Sequence, residues 1–193
     1  MMRWIPAWFA LVFLLMTPGS PGAQTHDAQG WFAEGNRLLS EGRYEEAAQA
    51  FEQSIEQNPK SPAAFYNLGI ANKKLGNPEG AANAFEATLK LEPSNLDARL
   101  SLGNIYNLME RWEEAIGELN IVVHRRRNDA EAHGNLGWAY YNYHSGPPFK
   151  LLVIANLRKA VELFELQGKL EAAQATRDVL DEAEKKFAVE SAD

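Results

Sequence analysis

No two of the four histidines, His26, His124, His133 and His144, stand three or four residues apart. A helix needs that spacing to turn two imidazoles toward one metal ion, so no helical two-histidine site is expected. Cysteine is absent, which removes Cys-ligated zinc, iron–sulfur clusters, covalently attached haem, disulfides and thiol catalysis together. Glu45-Glu46 and Glu113-Glu114 are the acidic pairs that acid–base chemistry would need. They fall on polar stretches where carboxylates are ordinary solvated surface. No glycine-rich phosphate loop follows a strand, because no strand pattern precedes one. The chain is therefore expected to be non-catalytic, with no metal and no cofactor. What it holds in quantity is carboxamides and aromatic rings, groups that bind rather than react.

The elements that carry them repeat. Trp31, Gly35, Gly42, Ala47, Phe51 and Pro59 come back as Phe65, Gly69, Gly76, Ala81, Phe85 and Pro93, each 34 residues on. A fixed period of this length means stacked helical hairpins rather than one closed core. A third copy keeps Leu102, Gly103, Tyr106, Trp112, Ala115 and Leu119, but has Arg99 at its entry and Arg127 in place of the closing proline. A fourth begins with His133, Leu136, Gly137 and Tyr140. Its Leu157, Ala160 and Val161 fall into register only after about four inserted residues. Ser145-Gly146-Pro147-Pro148 is the natural place for them, since consecutive prolines cannot continue a helix.

These segments resemble tetratricopeptide repeats, whose pattern is W-x2-L-G-x2-Y, then A-x3-F, then P, over two antiparallel helices. The resemblance implies an all-α, right-handed solenoid. Four repeats are expected at 28–61, 62–95, 96–129 and 130–167, within a 24–167 domain, followed by a capping helix and tail over 168–193. Repeat positions are numbered so that the closing proline is 32. Glycine at position 8 and alanine at position 20 are expected to meet where the two helices of a repeat cross. The aromatic at 24 and the leucine at 7 are expected to fill the seam with the next repeat. In the capping segment Leu170, Ala173, Leu180, Ala183 and Phe187 recur along one helical side, with Glu171, Arg177, Asp178, Asp181, Glu184 and Lys185 on the other.

In this family the first helices of successive repeats line a concave groove that holds a peptide or helix of another protein. Carried over position by position, the groove contains Phe32, Asn36, Tyr66, Asn67, Ile70, Lys73, Leu100, Asn104, Asn107, Asn135, Trp138 and Tyr141. A row of Asn side chains can donate to and accept from an extended backbone without reading its sequence. Asn at positions 6 and 9 is also common framework in these repeats, and both readings stand open. Trp138 and Tyr141, a helical turn apart, are the expected ligand contacts. The sub-family that grips a chaperone's terminal carboxylate is excluded. Asn36 and Asn67 fit its clamp, but Phe32, Asp97 and Ser101 stand where it needs cations. His124-Arg125-Arg126-Arg127 is expected to close a helix C-terminus, where cations are favoured.

Residues 1–23 differ from the rest. Arg3, an apolar run from Trp4 to Met16 and a small-residue stretch through Ala23 have the layout of a secretory signal peptide. The run is short of the ~20 residues of a spanning helix, so no membrane span is expected after cleavage; an uncleaved anchor is the alternative. Arg3 is the one charge before residue 24, so the remainder carries 18 basic against 26 acidic side chains, a net of −8. That balance argues against nucleic acid as a partner. The expected protein is an exported adaptor of a bacterial envelope, periplasmic or extracellular. Its alternatives are a self-assembling scaffold and a glycan binder stacking sugars on Trp138, Tyr140, Tyr141 and Tyr143.

Overall fold

The computed structural model describes residues 26–143 and 149–189. The proposed signal segment and the four-residue insertion at 145–148 lie outside the described residues. Nine helices are present among these: α1 Ala28–Ser40, α2 Tyr44–Gln57, α3 Pro62–Lys74, α4 Pro78–Leu91, α5 Leu96–Leu108, α6 Trp112–Arg125, α7 Ala130–Asn142, α8 Lys150–Leu166 and α9 Leu170–Val189. Each packs chiefly on the next in the chain, and first helices of neighbouring repeats also touch (α1 with α3, α5 with α7), as does α7 with α9. The arrangement is an α-solenoid, with the first helices on its inner side.

The start of each first helix is written into the period. Asp27, Ser61, Asn95 and Asp129 share one repeat position. Each accepts, through its side chain, the backbone N–H three residues on: Gly30 at 2.7 Å, Ala64 at 3.3 Å, Ala98 at 2.9 Å and Ala132 at 3.0 Å. These bonds satisfy donors that a helix N-terminus leaves orphaned, worth about 1 kcal/mol each. The first helices end as regularly. Gly42 and Gly76 take φ +77° and +71°, the left-handed conformation that stops a helix cheaply in glycine. At the same position the third repeat has Glu110, held at φ 57°.

Inside each hairpin the glycine at position 8 lies directly under a large side chain. A Cβ on Gly35 would lie 2.6 Å from the Phe51 ring, and one on Gly69 2.6 Å from the Phe85 ring. On Gly103 it would lie 2.6 Å from Leu119 Cγ, and on Gly137 2.8 Å from Leu157 Cδ2. Position 8 therefore has the side chain of position 24 of its own repeat as its nearest neighbour, and that side chain also bridges to the next repeat. Phe51 shares its cluster with Ala71 and Leu68 of the following repeat. Phe51, Phe85 and Leu119 are fully buried, as are Ala47, Ala81 and Ala115. Burial of each large side chain stabilises by about 1.5–3 kcal/mol.

The third and fourth repeats put polar groups at position 4, where the first two have Trp31 and Phe65. Arg99 forms an ion pair with Glu118 and donates from Nη2 to Pro93 O at 3.0 Å. His133 places Nδ1 2.8 Å from Asn156 Oδ1 and Nε2 3.0 Å from Arg127 O. Glu118 and Asn156 occupy position 23, where the aromatic repeats have Ala50 and Ala84. A ring at 4 thus goes with a small residue at 23, and a polar group at 4 with a polar partner at 23.

The terminal helix packs Ala173, Leu180 and Ala183 on α8, with Phe187 half-buried. Leu170, expected on that side, is instead 70% exposed, because the turn at Gly168 starts the helix outside the seam. No helix among the described residues is long and apolar enough to cross a membrane.

Candidate functional site

The inner surface is built from α1, α3, α5 and α7, and its polar groups are tied to one another in rungs. Asn67 Nδ2 donates to Asn36 Oδ1 at 2.7 Å, joining repeats one and two. Asn135 Nδ2 donates to Asn104 Oδ1 at 2.6 Å, joining repeats three and four, and Asn104 Nδ2 donates to Glu131 at 2.7 Å. Between repeats two and three the same rung holds Ile70 and Ser101, so no carboxamide pair forms there. Each amide bond uses part of a side chain's capacity. An amide group can donate two hydrogen bonds and accept two, so the rungs retain capacity for a further partner.

Phe32 and Tyr66 each lie against the position-24 ring of their own repeat, with centroids 5.9 Å from Phe51 and 5.6 Å from Phe85. They are half-buried, as are Ile70 and Leu100, while Lys73 is exposed. One of the expected groove contacts, Asn107, is corrected, and another, the half-buried Tyr141, is shared with the terminal helix. Asn107 is buried, its Nδ2 donating to Asn135 O at 2.9 Å, so it ties α5 to α7 instead of facing a ligand. Tyr141 is engaged by the terminal helix. Its hydroxyl donates to Glu182 at 2.9 Å, the Phe187 ring lies edge-on to it with centroids 6.4 Å apart, and Lys186 Nζ lies 4.8 Å from the ring centroid. Burial and the Glu182 bond raise the Tyr141 hydroxyl above the ordinary phenol range. Trp138, 6.1 Å from Tyr141 between ring centroids, keeps 38% of its surface exposed.

Tyr140 and Tyr143, expected as sugar platforms, lie tilted against Phe149 with centroids 5.0 and 6.1 Å away. Asp97 is held below the usual carboxylate range by the Arg126 guanidinium, which donates to it at 2.6 Å. That pair joins the link after α6 to the start of α5, and accounts for one cation of the His124–Arg127 run. Among the described residues no cluster of three His, Asp or Glu side chains could hold a metal ion.

Sequence reasoning missed the groove's far end. There a pocket of about 310 Å3 lies between α7 and α9, lined by Glu131, Gly134, Trp138, Leu157, Phe164 and Val179 among others. Its wall on α9 is invisible to a groove list confined to the first helices of repeats. Gly134 was visible, as the one position-5 residue that is not Phe32, Tyr66 or Leu100 in kind.

Two family models match consecutive stretches of this architecture, from α1 to α7. A TPR repeat model matches residues 35–76, and a tetratricopeptide repeat model matches 74–137. The chain is a tetratricopeptide repeat protein. Its relatives include the tetratricopeptide repeat and J domain-containing co-chaperone DNJ1 of Cryptococcus neoformans, 33% identical over 97 residues, 50% of this chain and 18% of that one. The small glutamine-rich tetratricopeptide repeat-containing protein 2 of Mycosarcoma maydis is 32% identical over 84 residues, 44% of this chain and 24% of that one. The chain thus spans a quarter or less of these curated relatives. Among solved structures, residues 41 to the end of MamA from Desulfovibrio magneticus superpose with a TM-score of 0.66 at 25% identity, over 83% of this chain and 91% of that one. YrrB, a TPR protein described with an unusual peptide-binding site, gives 0.65 at 19% identity over 81% and 86%, a likeness of fold alone. Tetratricopeptide repeat proteins are in general protein-interaction modules.

Proposed function

We propose that the chain is a non-catalytic adaptor that holds a peptide segment or helix of a partner protein in its concave groove, in the cell envelope after export. The observation that carries the reading is the inner face itself. Two carboxamide rungs retain unused hydrogen-bonding capacity, with Ile70 between them and the exposed Trp138 beyond. An extended backbone supplies the matching donors and acceptors, and exposed aromatic surface supplies burial. The envelope location rests on the layout of residues 1–23 and on the absence of cysteine.

Site-directed photo-crosslinking tests the groove. A photoreactive residue replacing Asn36 or Lys73 is expected to capture a discrete partner in native envelopes, while one replacing Glu113, on the second helix of repeat three, captures none. Equal adducts from both faces overturn the groove assignment.

Self-assembly into a scaffold is the second reading, favoured by Leu166 and Leu170, which are 76% and 70% exposed beside the α8–α9 turn. Light scattering separates the two, since a monomer at high concentration excludes the scaffold.

A further inference from the structure

Position 5 of the first three repeats carries a large apolar side chain that lies on the residue at position 24. Phe32 rests on Phe51, Tyr66 on Phe85, and Leu100 packs into the cluster that contains Leu119. In the fourth repeat position 5 is Gly134, and position 24 is Leu157. Both line the pocket against α9. The space that the other repeats fill from within is here left open.

Packing does not require this glycine. A Cβ on Gly134 would meet Ala160 Cβ at 3.6 Å and Phe164 Cε2 at 3.9 Å, ordinary van der Waals contact. The glycines at position 8 are different, since each would drive a Cβ to within 2.8 Å of a core side chain. A glycine inside a helix costs about 0.5–1 kcal/mol relative to alanine. At Gly134 that cost is met by no close approach and no positive φ, and its one structural consequence is the cavity.

We propose that this pocket receives a bulky apolar side chain, Phe, Leu or Tyr, from a partner segment that carries a Lys or Arg next to it. The guest would lie on Leu157 as Phe32 lies on Phe51, under the lip formed by Trp138. Its walls are apolar: Leu157, Phe164 and Val179. Glu131 is the one charged residue that lines the pocket, and it stands beside Asn104, which donates to its Oε1. Further along α9 Tyr141 meets another carboxylate, Glu182, at its hydroxyl, and the Lys186 ammonium over its ring, so Glu131 alone sets the charge at the pocket itself. A basic neighbour on the guest meets Glu131 with complementary charge, and an acidic neighbour would be repelled. At about 310 Å3 the cavity is at the small end of ligand pockets, the scale of a side chain. The α9 helix is then a wall of the site as well as an end cap.

The proposal rests on the groove reading and is tested separately from it. Phage-displayed random heptapeptides are panned on the full chain and on its variants, and the selected peptides are titrated by fluorescence anisotropy. The wild type is expected to select a Phe, Leu or Tyr flanked by Lys or Arg. Gly134→Phe supplies the missing ring from within; it is expected to melt no lower than wild type and to weaken the selected peptide tenfold or more, about the loss of one buried apolar side chain. Ala175→Trp blocks the pocket from the α9 wall and is expected to do the same, should Gly134→Phe fold poorly. Glu131→Lys is expected to exchange the basic flank for an acidic one. If selected peptides bind every pocket variant unchanged yet lose affinity on Asn36→Ala with Asn67→Ala, the groove stands and the pocket assignment is overturned. If the wild type selects no peptide at all, both fall.

Discussion

Asn156 presents its Oδ1 to His133 Nδ1 at 2.8 Å, from the position that Ala50 and Ala84 occupy in the repeats with an aromatic entry. The Asn156 amide is oriented by a second bond, from its Nδ2 to Leu152 O at 2.9 Å. With Asn156 buried, the two residues behave as a unit. His133→Phe alone leaves the carboxamide oxygen without its partner and is expected to destabilise by about 1–3 kcal/mol. Asn156→Ala alone strands the imidazole to a similar degree. The double variant His133→Phe, Asn156→Ala rebuilds the Phe65–Ala84 combination of repeat two and is expected to recover most of that loss. Urea unfolding of the four proteins checks it; additive losses would show that the pair is not coupled.

Two glycines inside helices should answer alanine in opposite ways. At Gly69 a Cβ would press into the Phe85 ring at 2.6 Å, so Gly69→Ala is expected to cost about 1–3 kcal/mol. At Gly117 nothing lies within 4 Å, so Gly117→Ala is expected to gain about 0.5–1 kcal/mol from helix propensity. Thermal melts of the two variants should move in opposite directions.

Glu110 holds the left-handed conformation that Gly42 and Gly76 take without strain. A side chain there costs about 1–2 kcal/mol, part of which glycine returns as chain entropy. Glu110→Gly is expected to raise stability by up to about 1 kcal/mol, read as a higher urea midpoint at unchanged slope.

The Tyr106 hydroxyl donates to Glu86 at 2.8 Å from an almost fully buried ring. Burial first, and then the bond to Glu86, push its ionisation well above the ordinary phenol value of 10.0. With the folded value raised, the stabilising contribution is complete below pH ~10, where the unfolded phenol ionises, and is lost as pH rises beyond it. Tyr106→Phe is expected to cost about 1 kcal/mol at neutral pH. It should also lose less stability than wild type between pH 10 and 12, measured by urea unfolding across that range.

The solenoid was legible because its determinants are local and periodic: Gly35, Gly42, Ala47, Phe51 and Pro59 return 34 residues on, whereas the caps at Asp27, Ser61, Asn95 and Asp129 share that period and went unread. That the position-24 side chain stands nearest each position-8 glycine was not legible, because spacing along a chain does not say how far a side chain reaches across a hairpin. The site was less legible for a related reason. Asn107 and Tyr141 lie at positions that face a ligand in an idealised repeat, but in this chain α7 closes over one and α9 engages the other. Neither contact has a signature within its own repeat. Gly134 did have one, as a departure from an otherwise large apolar column, and its meaning required the terminal helix in place beside it.

Among the described residues the large seams join helices that are neighbours in order, and α1 makes no such seam with α8 or α9. Melting should therefore begin at the tips. At the C-terminal tip the last helix is anchored by Ala173, Leu180, Ala183 and the Tyr141–Glu182 bond, and it also forms one side of the cavity above Leu157. As temperature rises, grip on a guest should vanish while most of the helical signal survives, and a bound guest should in turn hold that final turn of the spiral in place.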